Sequence, residues 1–276
     1  EVKVEYSFIL RKNRVFPIGF EDNIRGALLQ MKDFSLTLDE YDFLKKKCPY
    51  LSTPYLDYLK GYRFDPDSEV YVIQEGDDLK LKIEGYWFRS VLWETPLMAL
   101  ISELFFEQDE IMLGRAREER NKAKAEIFKK SGVKFADFGT RRRHSFQIHD
   151  EVLKDLKKYC PECLIGTSNP YLAMKHGLTP IGTVAHEFIQ GCGALYGYRQ
   201  ANRIAMDKWS DCYSGALGTM LSDTYTSDIF FNDFDLKHSL LFTGVRQDSG
   251  DPIEFAEKAI EHYKKLKIDP LSKTVI

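Results

Sequence analysis

The sequence predicts an α/β protein, an α+β segment first and then a β/α array. Three observations carry this. From Lys134 onward short strands alternate with helices, five strands with a sixth beginning at Thr274. Each strand is followed by a polar or glycine-containing motif. The first hundred or so residues instead group helices with helices and strands with strands, the signature of an α+β domain.

Along the chain, Glu1–Leu10 reads as a strand, Glu21–Leu29 and Thr37–Lys46 as helices, and Ser52–Leu59 as a further short helix. Glu69–Gln74, Leu79–Ile83 and Tyr86–Val91 read as strands, with a turn at residues 75–78. Arg115–Lys130 is polar nearly all round, the pattern of a solvated surface helix. The expected division is therefore an N-terminal domain over 1–110, a connecting helix over 111–131, and the first part of a site-bearing β/α array over 132–276.

In that array, Phe135–Phe138, Leu164–Gly166, Pro180–Thr183, Leu217–Leu221 and Leu241–Val245 read as strands. The intervening helices are Ser145–Tyr159, with Val152, Leu153, Leu156 and Tyr159 on one face, then Tyr171–His176, Glu187–Trp209 and Asp228–Phe234. Asp251 caps the last helix, Pro252 occupies its first position and Glu254 completes a capping box. Ile253, Ala256, Ile260 and Tyr263 form its expected buried stripe. A β/α barrel and a doubly wound sheet share this pattern, and both place a site at the C-terminal ends of the strands.

Composition narrows the function classes. A hydrophobic fraction of 43% suits a sizeable core, and 29% charged residues exclude wholesale disorder. Lys plus Arg total 39 against 42 Asp plus Glu, a net charge of −3, so no global positive field draws the chain to nucleic acid or anionic membrane. The most apolar stretch, Val91–Phe106, is interrupted by Glu94, Pro96 and Glu103 and does not read as a membrane span. Five cysteines in a chain this long are not a disulfide framework, and a reducing, cytoplasmic setting is expected. Cys160-Pro-Glu-Cys163 is half a zinc site at most and is read as incidental. Cys192 and Cys212 are expected to be buried, and His144 and His149 to lie on the surface at a helix start. The chain has no initiator Met and ends on a strand just begun, so it reads as a trimmed piece of a longer protein.

The segments after the strands gather glycine, hydroxyl and charge: residues 139–144, 166–169, 182–187, 222–225 and 244–251. Together they supply several arginines, several aspartates and one histidine, His186. Arginine forks bind phosphate bidentately, and glycine lets backbone N–H groups approach an oxygen. Aspartates hold Mg²⁺ through one or two bonds. That set suits a phosphorylated substrate with a metal.

The runs DFGTRRRHS (137–145), GTSN (166–169), GTVAHE (182–187), LSDTYTSD (221–228) and VRQDSGDP (245–252), with FRSVLWETPLMALISE (88–103), resemble the nicotinate phosphoribosyltransferases in order, spacing and wording. The resemblance covers essentially the whole chain. It implies an irregular β/α barrel of the type II phosphoribosyltransferase kind, incomplete here, with an N-terminal α+β domain. It implies ATP-coupled, Mg-dependent transfer of 5-phosphoribosyl from 5-phosphoribosyl-1-pyrophosphate to nicotinate. The products are nicotinate mononucleotide and pyrophosphate, a step in NAD salvage formally classed as a ligation. It also implies a cytoplasmic homodimer with shared active sites. The family's opening segment, with its ring-stacking tyrosine, and a glycine-rich phosphate loop are expected before Glu1 and beyond Ile276.

Residue by residue, the resemblance makes His186 the histidine phosphorylated by ATP, oriented by Asp223 with Glu187 as second choice. Arg246 and Thr183 fall at the nicotinate contacts, and Phe138 at the position that stacks on the pyridine ring. Arg141 is assigned to the sugar diphosphate, and Asp248 to Mg²⁺ or the ribose hydroxyls. Arg142 and Arg143 have no assigned role, since three adjacent arginines cannot all point inward. Ser168 stands where nicotinamide-using relatives carry an acid, and a neutral residue there favours the carboxylate substrate. The rival readings are a nicotinamide or quinolinate phosphoribosyltransferase, a carboxylate-pair barrel hydrolase, and a phosphate- or RNA-binding module built on Arg141–Arg143.

Overall fold

Strand β1 (Lys3–Ser7) pairs antiparallel with β3 (Asp78–Tyr86), which also pairs antiparallel with β2 (Val70–Glu75). The coordinates are a computed structural model and describe residues 1–10, 15–107 and 115–276. By internal contacts the chain forms two units, Glu1–Ile181 and Gly182–Ile276.

In the first unit, Val70, Val72, Leu79, Leu81 and Ile83 alternate onto one buried face of the sheet. Gly76, at positive φ, supplies the first position of the two-residue β2–β3 turn. Helices α1 (Phe20–Gln30) and α6 (Glu94–Phe106) cover that face with Phe20, Ile24, Leu28, Leu97 and Ile101. Between them come α2 (Leu38–Lys47), α3 (Thr53–Gly61), the one-turn α4 (Pro66–Glu69) and α5 (Trp87–Ser90). Thr37 and Glu40 form a reciprocal capping box at the start of α2.

The strand expected over Tyr86–Val91 is instead the end of β3 followed by the α5 turn. Trp87 N–H closes the ladder on Val2 O, and the chain then turns inward to bury Trp93. The Trp93 indole donates to buried Glu69 at 2.8 Å, and Glu69 also receives the Arg89 guanidinium.

Helix α7 (Arg115–Ser131) is not simply a solvated helix. It docks on α8 (Phe146–Tyr159) along a polar seam. Buried Asn121 donates to Asp155 at 2.9 Å, Arg117 pairs with Glu151, and Ala125 is fully buried beside Leu153 and Leu156. Charge that reads as solvent-facing in one dimension is here matched by charge on the neighbouring helix.

Beyond α8, β4 (Phe135–Asp137), β5 (Leu164–Thr167) and β6 (Thr179–Pro180) form a parallel sheet in that order, with α9 (Pro170–His176) between β5 and β6. The second unit repeats the arrangement with β7 (Thr219–Leu221), β8 (Gly244–Arg246) and β9 (Thr274–Val275). Its helices are α10 (His186–Tyr196), α11 (Ala201–Tyr213), α12 (Ser227–Asp233), α13 (Leu236–Leu241) and α14 (Pro252–Lys265). They bury Ile189, Met206, Phe230, Phe234, Phe255 and Tyr263 around β7 and β8.

Several expectations shift. The helix expected over Glu187–Trp209 breaks after Tyr196, where Gly197 takes φ +96°. The strand expected over Leu241–Val245 runs over Gly244–Arg246 instead, after helix α13, which Asp235 caps. Asp251 caps α14 through Ile253 N and Glu254 N, while Glu254 pairs with Lys258. The α14 stripe is Phe255, Ala259 and Tyr263, and Ile253 and Ile260 are exposed. Two motif glycines serve the strands themselves. A Cβ on Gly166 or Gly244 would lie 2.3 Å from Thr179 O or 2.0 Å from Thr274 O, so only glycine lets the neighbouring parallel strand approach. Among the described residues no helix is long and apolar enough to cross a membrane.

Cys160 and Cys163 are free and buried in the core beneath α8, and burial pushes the Cys160 thiol up. Cys192 is buried as expected, whereas Cys212 is exposed.

Candidate active site

In the second unit four of the expected residues converge. His186 opens α10, Asp223 follows β7, Arg246 ends β8, and Asp248 lies two residues further on. Asp223 is nearly buried. Its Oδ2 accepts from Asp248 N–H (3.1 Å), Ser249 N–H (2.9 Å) and Ser249 Oγ–H (3.0 Å). Its Oδ1 is buried without a hydrogen-bond partner among the described residues and lies 3.8 Å from His186 Nε2. The Asp248 Oδ2 atom is 3.7 Å from the same nitrogen.

The direct hydrogen bond to the imidazole comes from a residue that sequence reasoning passed over. His186 Nδ1 lies 3.0 Å from Thr224 Oγ1. Thr224 sits inside the LSDTYTSD run, next to Asp223, and its hydroxyl was the available signal. Glu187 follows in the first turn of α10 and is half-buried.

Arg246 bonds Asp248 Oδ1 at 2.5 Å and Val184 O at 3.4 Å. Its Nε–H is buried and unpaired among the described residues, a donor facing no acceptor. Ser222 holds the strand end by giving both its N–H and its hydroxyl to Arg246 O, at 2.9 and 3.0 Å. Thr183 is half-buried, just before Val184.

In the first unit, Phe138 follows β4 and is 52% exposed. Arg141 pairs with Glu94 at 2.5 Å. Arg143 is occupied structurally. It pairs with Glu103 at 3.3 Å and lies over the Phe146 ring. Ser168 follows β5, half-buried, its N–H on Asp137 O at 2.8 Å.

Both histidines expected at the surface are drawn inward. His144 stacks on Phe106 with ring centroids 4.6 Å apart. His149 is 5% exposed, and its Nε2–H donates to Asp137 Oδ2 at 2.7 Å. A signal was present. Residue 149 lies three, four and seven positions before Val152, Leu153 and Leu156, on the apolar face of α8.

Among the described residues no group of three or more His, Cys, Asp or Glu side chains is disposed to hold a metal ion. Asp223 Oδ2 is saturated by its donors and its Oδ1 is buried, and Arg246 holds Asp248 Oδ1, which leaves Oδ2 of the 54% exposed Asp248 side chain as the carboxylate oxygen open to a cation. One such carboxylate fits a Mg²⁺ that arrives on substrate phosphates and keeps most of its other ligands.

Two family models match the chain. The nicotinate phosphoribosyltransferase (NAPRTase) N-terminal domain covers residues 1–102, and the NAPRTase family model covers residues 133–276. The chain is 47% identical to a nicotinate phosphoribosyltransferase of Chromohalobacter salexigens over 99% of its own length and 70% of that protein's. The chain belongs to the nicotinate phosphoribosyltransferase family.

This enzyme family also supplies its structural neighbours. A crystal structure of nicotinate phosphoribosyltransferase from Porphyromonas gingivalis superposes with a TM-score of 0.94 at 44% identity, covering 99% of this chain and 70% of that one. The Vibrio cholerae structure gives 0.91 at 30% identity, over 99% and 67%. The α/β fold, with parallel sheets and an N-terminal domain, is that of the nicotinate phosphoribosyltransferases.

Proposed function

We propose that the protein transfers the 5-phosphoribosyl group of 5-phosphoribosyl-1-pyrophosphate to nicotinate, with ATP consumed through His186. Family membership supports the transfer. The ATP step rests on one observation, the anchored Asp223 carboxylate whose bare oxygen faces the His186 ring.

A carboxylate accepts only, so the nitrogen facing it is Nε2–H and the lone pair is on Nδ1. That lone pair exchanges its Thr224 bond for the γ-phosphorus of ATP. The N–P bond forms as the bond to the bridging oxygen breaks, and ADP leaves with the electron pair. Asp223 stabilises the cationic imidazole that results. Glu187 is the second carboxylate in reach of this role by sequence.

In the transfer, the pyridine nitrogen bonds ribose C1 as the C1–O bond to pyrophosphate breaks, the pair leaving on pyrophosphate. The transition state is oxocarbenium-like. Arg141 serves the departing pyrophosphate by releasing Glu94, and Asp248 serves Mg²⁺, which supplies charge stabilisation when bound. Arg246 serves the nicotinate carboxylate. Its unpaired Nε–H supports this, because a fork with a free donor gains a bidentate partner. Thr183 adds a hydroxyl, Phe138 an exposed ring for stacking, and Ser168 a neutral neighbour for the substrate carboxylate.

The same reading includes a homodimer, checked by light scattering, and a cytoplasmic setting that accords with five free cysteines. The deciding experiment assays the full-length protein with nicotinate, nicotinamide and quinolinate, with and without ATP. The reading expects nicotinate mononucleotide and pyrophosphate from nicotinate, in an ATP-stimulated reaction. Preference for either other ring overturns it.

A further inference from the structure

Asp137 is the residue on which two rim loops of the first unit converge. Its Oδ1 accepts Gly139 N–H at 3.0 Å, which braces the turn carrying Phe138. Its Oδ2 accepts from His149 Nε2–H at 2.7 Å and from Thr167 Oγ–H at 2.6 Å. Its backbone oxygen accepts Ser168 N–H at 2.8 Å. The Thr167 hydroxyl, fully buried, passes the restraint on by accepting Asn169 N–H at 3.1 Å. Asn169 Nδ2 in turn lies 3.3 Å from Thr140 Oγ1, which closes a circuit between the two loops.

The circuit holds backbone on both sides of Ser168 and on both sides of Phe138. His149 is the buried post behind it. With Nε2–H on the carboxylate, its Nδ1 is left buried with no partner among the described residues. An unfilled acceptor of this kind is a cost that the fold tolerates for the sake of orienting Asp137.

We infer that Asp137, oriented by His149 and Thr167, is a positioning residue that places Phe138 and Ser168 and thereby sets the preference for nicotinate over nicotinamide. The inference rests on the nicotinate transfer proposed above. Asp137 touches no reacting atom in this account. It acts through its two neighbours, so the expected effect is on ring binding and ring choice more than on turnover.

The test uses full-length protein and steady-state kinetics with both rings. Thr167→Val removes the hydroxyl and keeps the bulk. The nicotinate KM should rise about tenfold, the yield of losing one buried hydrogen bond, with kcat within about threefold. The nicotinate-to-nicotinamide ratio of kcat/KM should fall in step, and Thr167→Ser should restore both. A folded Thr167→Val with the wild-type KM and ratio overturns the inference.

If Thr167→Val fails to fold, Asp137→Asn decides. The amide keeps the Gly139 bond, but its NH2 replaces the oxygen that accepts the Thr167 hydroxyl, so the link to the Ser168 loop is lost. An unchanged nicotinate KM in that variant overturns the inference, and a raised KM with near-normal kcat supports it. Wild-type protein inert toward nicotinate overturns the proposed transfer, and the inference with it.

Discussion

Asp223 faces His186 with an oxygen that has no hydrogen-bond partner among the described residues: Oδ1 lies 3.8 Å from Nε2, while Oδ2 is fixed by two backbone N–H groups and the Ser249 hydroxyl. The carboxylate is thus placed before any substrate arrives, and its charge is available where imidazolium develops. Asp223→Asn keeps the shape but removes that charge. ATP-dependent phosphorylation should slow by roughly a hundredfold or more, with the fold intact by circular dichroism. Phosphorylation at the wild-type rate would count against the pairing.

The Arg246 guanidinium ends a strand, is fixed by Val184 O and Asp248, and has an Nε–H with no partner among the described residues. A lysine there preserves charge and loses the fork. Arg246→Lys should weaken nicotinate binding by about tenfold or more, read by calorimetry. Binding of nicotinamide, which has no carboxylate, should change far less. Equal losses for the two rings would separate Arg246 from the carboxylate.

Asp137 gives a pH signature. Burial works to raise its pKa, but the bonds from His149, Thr167 and Gly139 outweigh it and hold the carboxyl below the usual carboxylate range. The titratable group that faces it is His149 on α8. A carboxyl depressed in the folded state adds stability above its unfolded pKa and loses it as pH falls through the folded value. The gap in denaturation midpoint between wild type and Asp137→Asn should therefore be full near neutrality and shrink below about pH 4. A gap that widens on acidification contradicts this.

Glu69 is 6% exposed and holds two donors, the Trp93 indole and the Arg89 guanidinium. Glu69→Ala leaves the Trp93 indole N–H and the Arg89 Nε–H without their acceptor, though the Arg89 guanidinium keeps its bond to Arg63 O. Destabilisation of roughly 3 kcal/mol is expected, measured by urea unfolding. Glu69→Gln, which still accepts from Trp93, should lose less.

The motifs were legible because each is short and local. Asp251 at the start of α14, Ser145 at the start of α8 and Asn169 at the start of α9 are cap residues whose bonds reach only two or three positions ahead. What escaped is long-range and polar. Asn121 meets Asp155, and Asp137 meets Thr167, across 34 and 30 positions, so neither pairing leaves a periodic trace. Helix α14 shows a different failure. Ile253 and Phe255 both fit an apolar stripe, and only the packing of Phe255 against Phe231 selects the face. At His149 residue type and position conflict: a histidine at a helix start reads as exposed, while its place on the α8 stripe buries it.

The central claim is covalent chemistry at His186, and the most direct measurement is mass-detected phosphate on that residue after incubating full-length protein with ATP. The account predicts an acid-labile phosphate on His186, absent in His186→Ala, which also loses ATP stimulation of nicotinate mononucleotide formation. Phosphate on another residue, or an ATP-to-product ratio unchanged in His186→Ala, would contradict it.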